Sequence, residues 1–229
     1  IQRNINSLYK VRQSNRQFIV GQLREFLSDR FPKYVLRTDV SEFYESIPRS
    51  GLLEQLAADS LLTPASTRLL KQLLWEYNKL SKTSAGIPRG IGVSAYLAEL
   101  YMRRFDDHIR ALPGLVYYAR YVDDIVMVYV PEPGQDATRL KERVEEAFSN
   151  HTLKENTAKT ELIEVDGVSQ QILEYLGYKF AFGNGSIEIA LTAKKLSRYK
   201  ARIDAAIARY LACPPKRETR ARELLMNRL

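Results

Sequence analysis

Three aspartates in this chain are placed where they could do chemistry. Residues 117–128 read YYARYVDDIVMV, with Asp123 and Asp124 adjacent between apolar and β-branched runs. Two readings fit that pair. Aspartate tolerates turn geometry and bonds its own backbone, so the pair could simply be a hairpin tip. Alternatively, carboxylates concentrated at one point are what a hard divalent cation needs. A third acid, Asp39 in VLRTDVSEFYESIP, ends another apolar stretch and is either a local cap or a partner to the first two. Three carboxylates on neighbouring strand ends would hold two cations about 3.5–4 Å apart, the arrangement that serves an in-line phosphoryl displacement. The chain has one cysteine, Cys213, and two histidines, so oxygen donors are its main metal-binding resource.

The elements that must position these acids follow from periodicity. KYVLRTDV (33–40) reads as a buried strand leading to Asp39, and 115–122 with 125–130 reads as a hairpin around Asp123–Asp124. Helices are expected over 14–29, after Pro48, over 63–80 with Thr63 as N-cap and Pro64 at its first position, and over 93–109. Between the last two lies the glycine-containing loop SKTSAGIPRGIG (81–92). An amphipathic helix is expected over 136–149, capped by Asp136. Strands are expected over 157–165 and 172–182, then a turn at Asn184–Gly185 before SIEIAL. From Thr192 the pattern is helical to 213–215, with another helix beyond. Helices and strands alternate without βαβ regularity, which predicts an α+β fold: an antiparallel sheet backed by helices, with a helical C-terminal piece.

Composition narrows the function classes. The 229 residues suit one large domain, or one domain with an appendage. No apolar run is long enough to span a membrane and the N-terminus, IQRNINSLYK, lacks a signal-peptide pattern. A single cysteine excludes an internal disulfide and agrees with a cytoplasmic location. The net charge is +8, and from Lys194 to Arg228 there are 11 Lys and Arg against 3 acids. A basic tail beside an acidic centre suits an enzyme of nucleic acids, with cations for phosphates and anions for metal. The chain starts at Ile1 and stops within a helical pattern, TRARELLMNRL, so flanking parts are expected.

Five stretches in order resemble the catalytic core of a reverse transcriptase. DVSEFYESI (39–47) resembles the first palm motif, AGIPRGIGVSAYLAELYM (85–102) the glycine-rich loop and helix, and YVDD (121–124) the Tyr-X-Asp-Asp box. LKENTAKTELIEV (153–165) resembles the motif that follows, and EYLGYKF (174–180) the primer-grip hairpin. The resemblance implies a right-hand polymerase palm at 34–182, with a fingers insertion at about 49–92. It also implies partial fingers at 1–33, and a palm–thumb connection and basic thumb helices at 183–229. It implies RNA-directed DNA synthesis, with RNA template, DNA primer or product, and deoxynucleoside triphosphates as partners. The cofactor implied is a pair of Mg²⁺ ions, with Mn²⁺ as a substitute.

The resemblance also implies roles residue by residue. Asp39, Asp123 and Asp124 would be metal ligands with the Val40 carbonyl, and Lys159 would approach the triphosphate. Tyr44, five residues after Asp39, would stand against a 2′-hydroxyl and favour deoxynucleotides; core packing is the other reading of it. Phe43, Pro88, Arg89, Gly90, Tyr121 and Val122 would line the nucleotide site. Lys10, Arg12 and Arg16 would face the triphosphate, and Leu176, Gly177 and Tyr178 would form the primer grip. Arg89 stands where many relatives carry glutamine. The wording of GIPRGIGVSAYLAEL and DVSEFYESI is most similar to the bacterial phage-defence, abortive-infection type. Two alternatives share these features: a palm-type RNA polymerase, and a catalytically silent nucleic-acid-binding scaffold.

Overall fold

A computed structural model describes residues 15–60, 62–130, 137–213 and 218–226. The fold is built on an antiparallel four-stranded sheet in the order β2-β3-β1-β4: β1 (Lys33–Asp39), β2 (Leu115–Tyr121), β3 (Asp124–Tyr129) and β4 (Glu161–Val165). Around these strands run α1 (Arg16–Leu27), the single-turn α2 (Phe43–Ser46), α3 (Arg49–Ala58), α4 (Pro64–Ser81), α5 (Gly92–Arg110) and α6 (Ala137–Asn150). A second sheet, β5 (Gln171–Tyr175), β6 (Tyr178–Gly183) and β7 (Ser186–Leu191), is an antiparallel meander that leads into α7 (Ala193–Leu211) and α8 (Glu218–Met226). Among the described residues, no helix is long and apolar enough to cross a membrane.

The main sheet is buried on both faces, which is why β3 reads as an unbroken apolar run instead of an alternation. On one face Leu36, Ile125, Met127 and Tyr129 meet α3, α4, α5 and α6 through Leu52, Leu70, Leu97, Phe105 and Phe148. On the other, Val35, Val126, Val128 and Ile163 meet α1 through Ile19, Leu23 and Leu27, and the second sheet through Leu173, Tyr175, Phe180 and Phe182. Each fully buried large side chain contributes about 1.5–3 kcal/mol. The two layers therefore fix the central strands, and with them the ends of β1 and β3.

Local chemistry explains most element ends. Asn15 Oδ1 accepts from Gln17 N at 2.9 Å and starts α1. Thr63 caps α4 as expected, accepting from Ser66 N at 3.2 Å ahead of Pro64. The Asn184–Gly185 turn forms with φ of 50° and 72°. Three expectations shift. The hairpin turn is Val122–Asp123, because Asp124 already pairs with Tyr121 and belongs to β3. The strand foreseen over 157–165 begins only at Glu161; residues 157–160 form a turn in which Lys159 N donates to Asn156 O at 2.9 Å. The stretch 172–182 divides into β5 and β6 at Leu176–Gly177, whose φ values of 51° and 77° reverse the chain. Asp136, proposed to cap α6, lies outside the described residues, as do Lys10 and Arg12.

Candidate active site

The register of the main sheet brings the three acids together. Asp39, the last residue of β1, is the cross-strand partner of Asp124, the first of β3. One step further, Val40 N donates to Asp123 O at 3.0 Å. Directly opposed residues have Cα atoms about 4.5–5.5 Å apart, so the acids occupy one corner of the sheet. The turn that delivers Asp123 is strained: Val122 has φ 61°, an outlier for a β-branched side chain that costs about 1–3 kcal/mol. Val122 itself is half-buried against the helix-backed core, and Val40 is buried and bridged to Glu155.

The side chains are less convergent than the backbone. Asp39 is buried and accepts from Asn156 Nδ2 at 3.0 Å and from Lys159 Nζ at 2.9 Å. Among the described residues, no group of three or more His, Cys, Asp or Glu side chains gathers closely enough to hold a metal ion. The expected three-carboxylate cluster thus exists as a juxtaposition of chain positions, with Lys159 compensating Asp39. Burial, followed by the charges of Asp123 and Asp39, raises the Asp124 carboxyl pKa above its ordinary value, with Arg37 and Lys159 opposing. The hydrogen bond to Asp39 raises the Lys159 ammonium against the effect of burial. The donor set suits a hard divalent cation, since it is all oxygen and its negative charges repel one another. Asp39, Asp123 and Asp124 are the residues that would hold one.

Five of the predicted nucleotide contacts separate into two groups. Phe43 is buried in the helix-backed core, edge-on to Tyr44 with ring centroids 5.1 Å apart, and packing is its role. Pro88 is also buried. Tyr44, Arg89 and Gly90 remain at the surface or half-buried. Tyr44 is held through its backbone, since Ile87 N donates to Tyr44 O at 2.8 Å. Its phenol pKa is raised by burial, then by Glu99 and Asp123, with Arg89 opposing. Arg89 pairs with Glu45 at 2.6 Å and its guanidinium lies 5.9 Å from the Tyr44 ring. Gly86, at φ 88°, packs on the Glu45 backbone so tightly that an added Cβ would lie 2.9 Å from Glu45 Cα. Among the described residues, nothing lies within 4 Å of a Cβ added at Gly90.

A cleft of about 500 Å³ opens on the other side of the acids. It is bounded by Asp124, by the Leu176–Gly177 turn, and by Arg16, Arg37, Lys194, Lys195 and Arg198. Arg16 stacks on Tyr121 at 4.7 Å, and its buried Nε has no hydrogen-bond partner among the described residues. Lys195 Nζ stands 3.6 Å over the Tyr178 ring, and Tyr175 Oη donates to Asp124 O at 3.1 Å. The primer-grip turn foreseen from sequence and the start of the basic C-terminal helix therefore meet beside Asp124.

Two positions that support the site escaped the sequence reading. Arg49 donates to the carbonyls of Gly86, Thr83 and Ala85 and fastens the glycine loop to α3. Arg120, buried between β2 and α5, contacts Glu99, Asp106 and the Val122 carbonyl. The signal for Arg120 was in the alternation of YYARYVDD, which turns residues 118 and 120 to the same face. Glu99 and Asp106, seven residues apart on one side of a helix, carry the matching signal.

Comparison with known proteins agrees with this fold. The family model described as reverse transcriptase (RNA-dependent DNA polymerase) matches residues 2–180. No curated protein matches the chain. Among solved structures, apo telomerase from Candida tropicalis truncated from its C-terminal domain is similar with a TM-score of 0.54 at 12% identity, over 82% of this chain and 44% of that one. Telomerase from Candida albicans, in complex with a TWJ fragment of telomeric RNA, is similar with a TM-score of 0.51 at 12% identity, over 99% of this chain and 44% of that one. At this identity the likeness concerns the fold, and the chain spans less than half the length of either telomerase.

Proposed function

Because the chain belongs to the reverse transcriptase (RNA-dependent DNA polymerase) family, we propose that it adds deoxynucleotides to the 3′-hydroxyl of a primer, copying RNA. The observation that carries this reading is the pairing of Asp39 with Asp124, one register step from the Val40–Asp123 hydrogen bond. In this reading Asp39, Asp123 and Asp124 hold two Mg²⁺ ions, or Mn²⁺ in their place. Such ions, when bound, activate the attacking hydroxyl and neutralise the departing pyrophosphate. Lys159 shifts from Asp39 to the triphosphate, to which it presents a compact positive charge. Tyr44 closes the space a 2′-hydroxyl would need, and its carbonyl bond to Ile87 keeps it in place. The cationic cleft beside Leu176–Gly177 receives the primer backbone. Residues 34–182 then act as palm with a fingers insertion, 1–33 as partial fingers, and 183–229 as the start of a thumb. The phage-defence affiliation rests on the wording of residues 39–47 and 86–100 alone.

The test is incorporation of deoxynucleotides on a primed RNA with Mg²⁺, beside an Asp123→Asn variant. We expect synthesis by the natural chain and a loss of about a hundred- to a thousandfold in the variant. Equal incorporation by both would remove the assignment of these carboxylates. The Asp39–Lys159 pair favours one further reading, a silent nucleic-acid-binding scaffold in which that pair is permanent. RNA binding with no synthesis on any template would select it.

A further inference from the structure

We infer that Arg120 is the positioning residue of the polymerase site, holding Asp123 in place by bonding the carbonyl of the strained Val122. The inference deepens the reading given above and rests on it.

All five N–H donors of the Arg120 guanidinium are engaged. Nε and one Nη2 proton go to Asp106 Oδ1 and Oδ2, both at 2.8 Å. The second Nη2 proton and one Nη1 proton go to Glu99, at 2.7 Å and 3.1 Å. The last Nη1 proton goes to the Val122 carbonyl at 2.9 Å. Four of the five bonds fasten the guanidinium to α5, and the fifth reaches the turn. Tyr118 Oη, donating to Asp106 Oδ1 at 2.6 Å, adds a second tether between β2 and the same carboxylate.

The bond to Val122 has a particular task. Val122 adopts φ 61°, a conformation that a β-branched residue abandons unless its neighbours impose it. The side chain of Val122 touches the helix-backed core, and its carbonyl is fixed by a cation that cannot move without breaking two carboxylate pairs. Relaxation of the turn would carry Asp123 away from Asp39 and Asp124. The helix that anchors Arg120 also bears on Tyr44, because the charge of Glu99 acts on the Tyr44 phenol. One buried fork thus ties the acidic turn to the helix that follows the glycine loop.

The experiment compares Arg120→Lys, Tyr118→Phe and the neutral triple variant Arg120→Gln/Glu99→Gln/Asp106→Asn with the natural chain. Four quantities are read: Tm, kcat, KM for deoxynucleotide, and amide hydrogen exchange in the peptide spanning 120–125. Lysine keeps the charge but lacks the fork. We expect Arg120→Lys and the triple variant to lose about 10- to 100-fold in kcat, the scale of a small misplacement of reacting groups, with KM changed less than about threefold. Exchange over 120–125 should rise in both. Tyr118→Phe, which leaves the Val122 bond intact, should lower Tm while kcat stays within about twofold, well short of the loss that misplacement brings. Unchanged exchange at 120–125 in folded Arg120→Lys or in the triple variant would overturn the inference. So would a kcat that merely follows Tm across all three variants. If the natural chain makes no DNA, the proposed function fails, and the exchange measurement still decides the role of Arg120.

Discussion

Two buried arginines stand beneath the two halves of the site, and they are satisfied by opposite means. Arg120, under the acidic turn, is surrounded by the carboxylates of Glu99 and Asp106. Burial alone would lower its pKa, but Asp106 and then Glu99 raise it well above the ordinary value. Arg49, under the glycine loop, donates to the carbonyls of Gly86, Thr83 and Ala85 and to the Asn78 and Ser81 side chains, with no carboxylate among them. Burial lowers its pKa, opposed by Tyr77, whose ring lies 5.1 Å away. A cation locked between two anions has one geometry. A cation caged by backbone carbonyls of a loop lets the loop adjust around it. Under the proposed function the difference would match two tasks, acids that stay put and a loop that admits successive base pairs.

Removing the guanidinium should break the two regions unequally. Arg120→Met takes the cation away from buried Asp106, which keeps only the Tyr118 hydroxyl, and from largely buried Glu99, and we expect about 3–5 kcal/mol of destabilisation. Arg49→Met leaves neutral carbonyls that can turn toward water, for about 1–3 kcal/mol. At about 2–4 °C per kcal/mol for a chain of this size, thermal unfolding separates them. A larger Tm loss in Arg49→Met would refute the contrast.

Substitution by lysine sharpens the comparison in kinetic terms. Where Arg120→Lys should lower kcat, Arg49→Lys should act on nucleotide binding, because the cage sets the loop that carries Arg89 and supports Tyr44. We expect KM for deoxynucleotide to rise about tenfold, equivalent to about 1.4 kcal/mol, with kcat within about threefold. Discrimination against ribonucleotides should weaken in parallel. Steady-state kinetics with both nucleotide types checks it, and a fall in kcat at constant KM would merge the two arginines into one role.

How much of this was legible in the sequence depends on which force fixes each residue. The strands and the order of helices follow from apolar periodicity, a local signal that burial on two faces enforces. The residues left Asp39 as a cap or a partner, and its place beside Asp123 and Asp124 is what the family resemblance implied and the β1–β3 register shows. The hairpin turn was misjudged by one residue because Val122 is a poor turn former, and its φ is imposed by Arg120 and the core. Phe43 and Pro88 lie in motifs where ligand contacts were expected, yet each is buried, and nothing local distinguishes a lining residue from a supporting one. Arg49 and Arg120 were invisible for the converse reason. A cation in sequence reads as solvated, and its burial depends on partners about 30 residues or about 15–20 residues away. The Asp39–Lys159 pair, 120 residues apart, is of the same kind.

The glycine loop also carries an exposed ion pair that should matter little to the fold. Glu45 and Arg89 are 42% and 65% exposed, so Glu45→Gln should cost less than about 1 kcal/mol. Its effect should appear in nucleotide KM, because Arg89 is then free beside Tyr44, and that effect should shrink as salt rises. A Tm loss as large as that of Arg49→Met would show that the loop is held from outside as well as from its caged arginine.

The smallest expected effect lies on the α6-facing side of α5, and it tests whether α5 transmits every disturbance to the site. The two histidines of the chain meet there, with His108 Nδ1 and His151 Nε2 3.3 Å apart and Tyr101 Oη donating to the His151 carbonyl at 2.7 Å. Burial, then His108 and Arg104, holds the His151 pKa below its ordinary value near 6.5. The unfolded chain therefore binds this proton more readily than the folded one. The stabilisation that His151 provides is complete above about pH 6.5 and is lost as pH falls through its lower folded value. Tm should drop more steeply between pH 7 and pH 5 in the natural chain than in His151→Gln, by an amount equivalent to less than about 1 kcal/mol. At pH 7.5 the variant should keep the natural kcat and KM, since His151 takes no part in the Glu99 and Asp106 contacts that hold Arg120. Parallel Tm–pH curves would remove the histidine effect. A fall in kcat at pH 7.5 would show that α5 moves as one lever, and that the acidic turn is not insulated by its two carboxylate pairs.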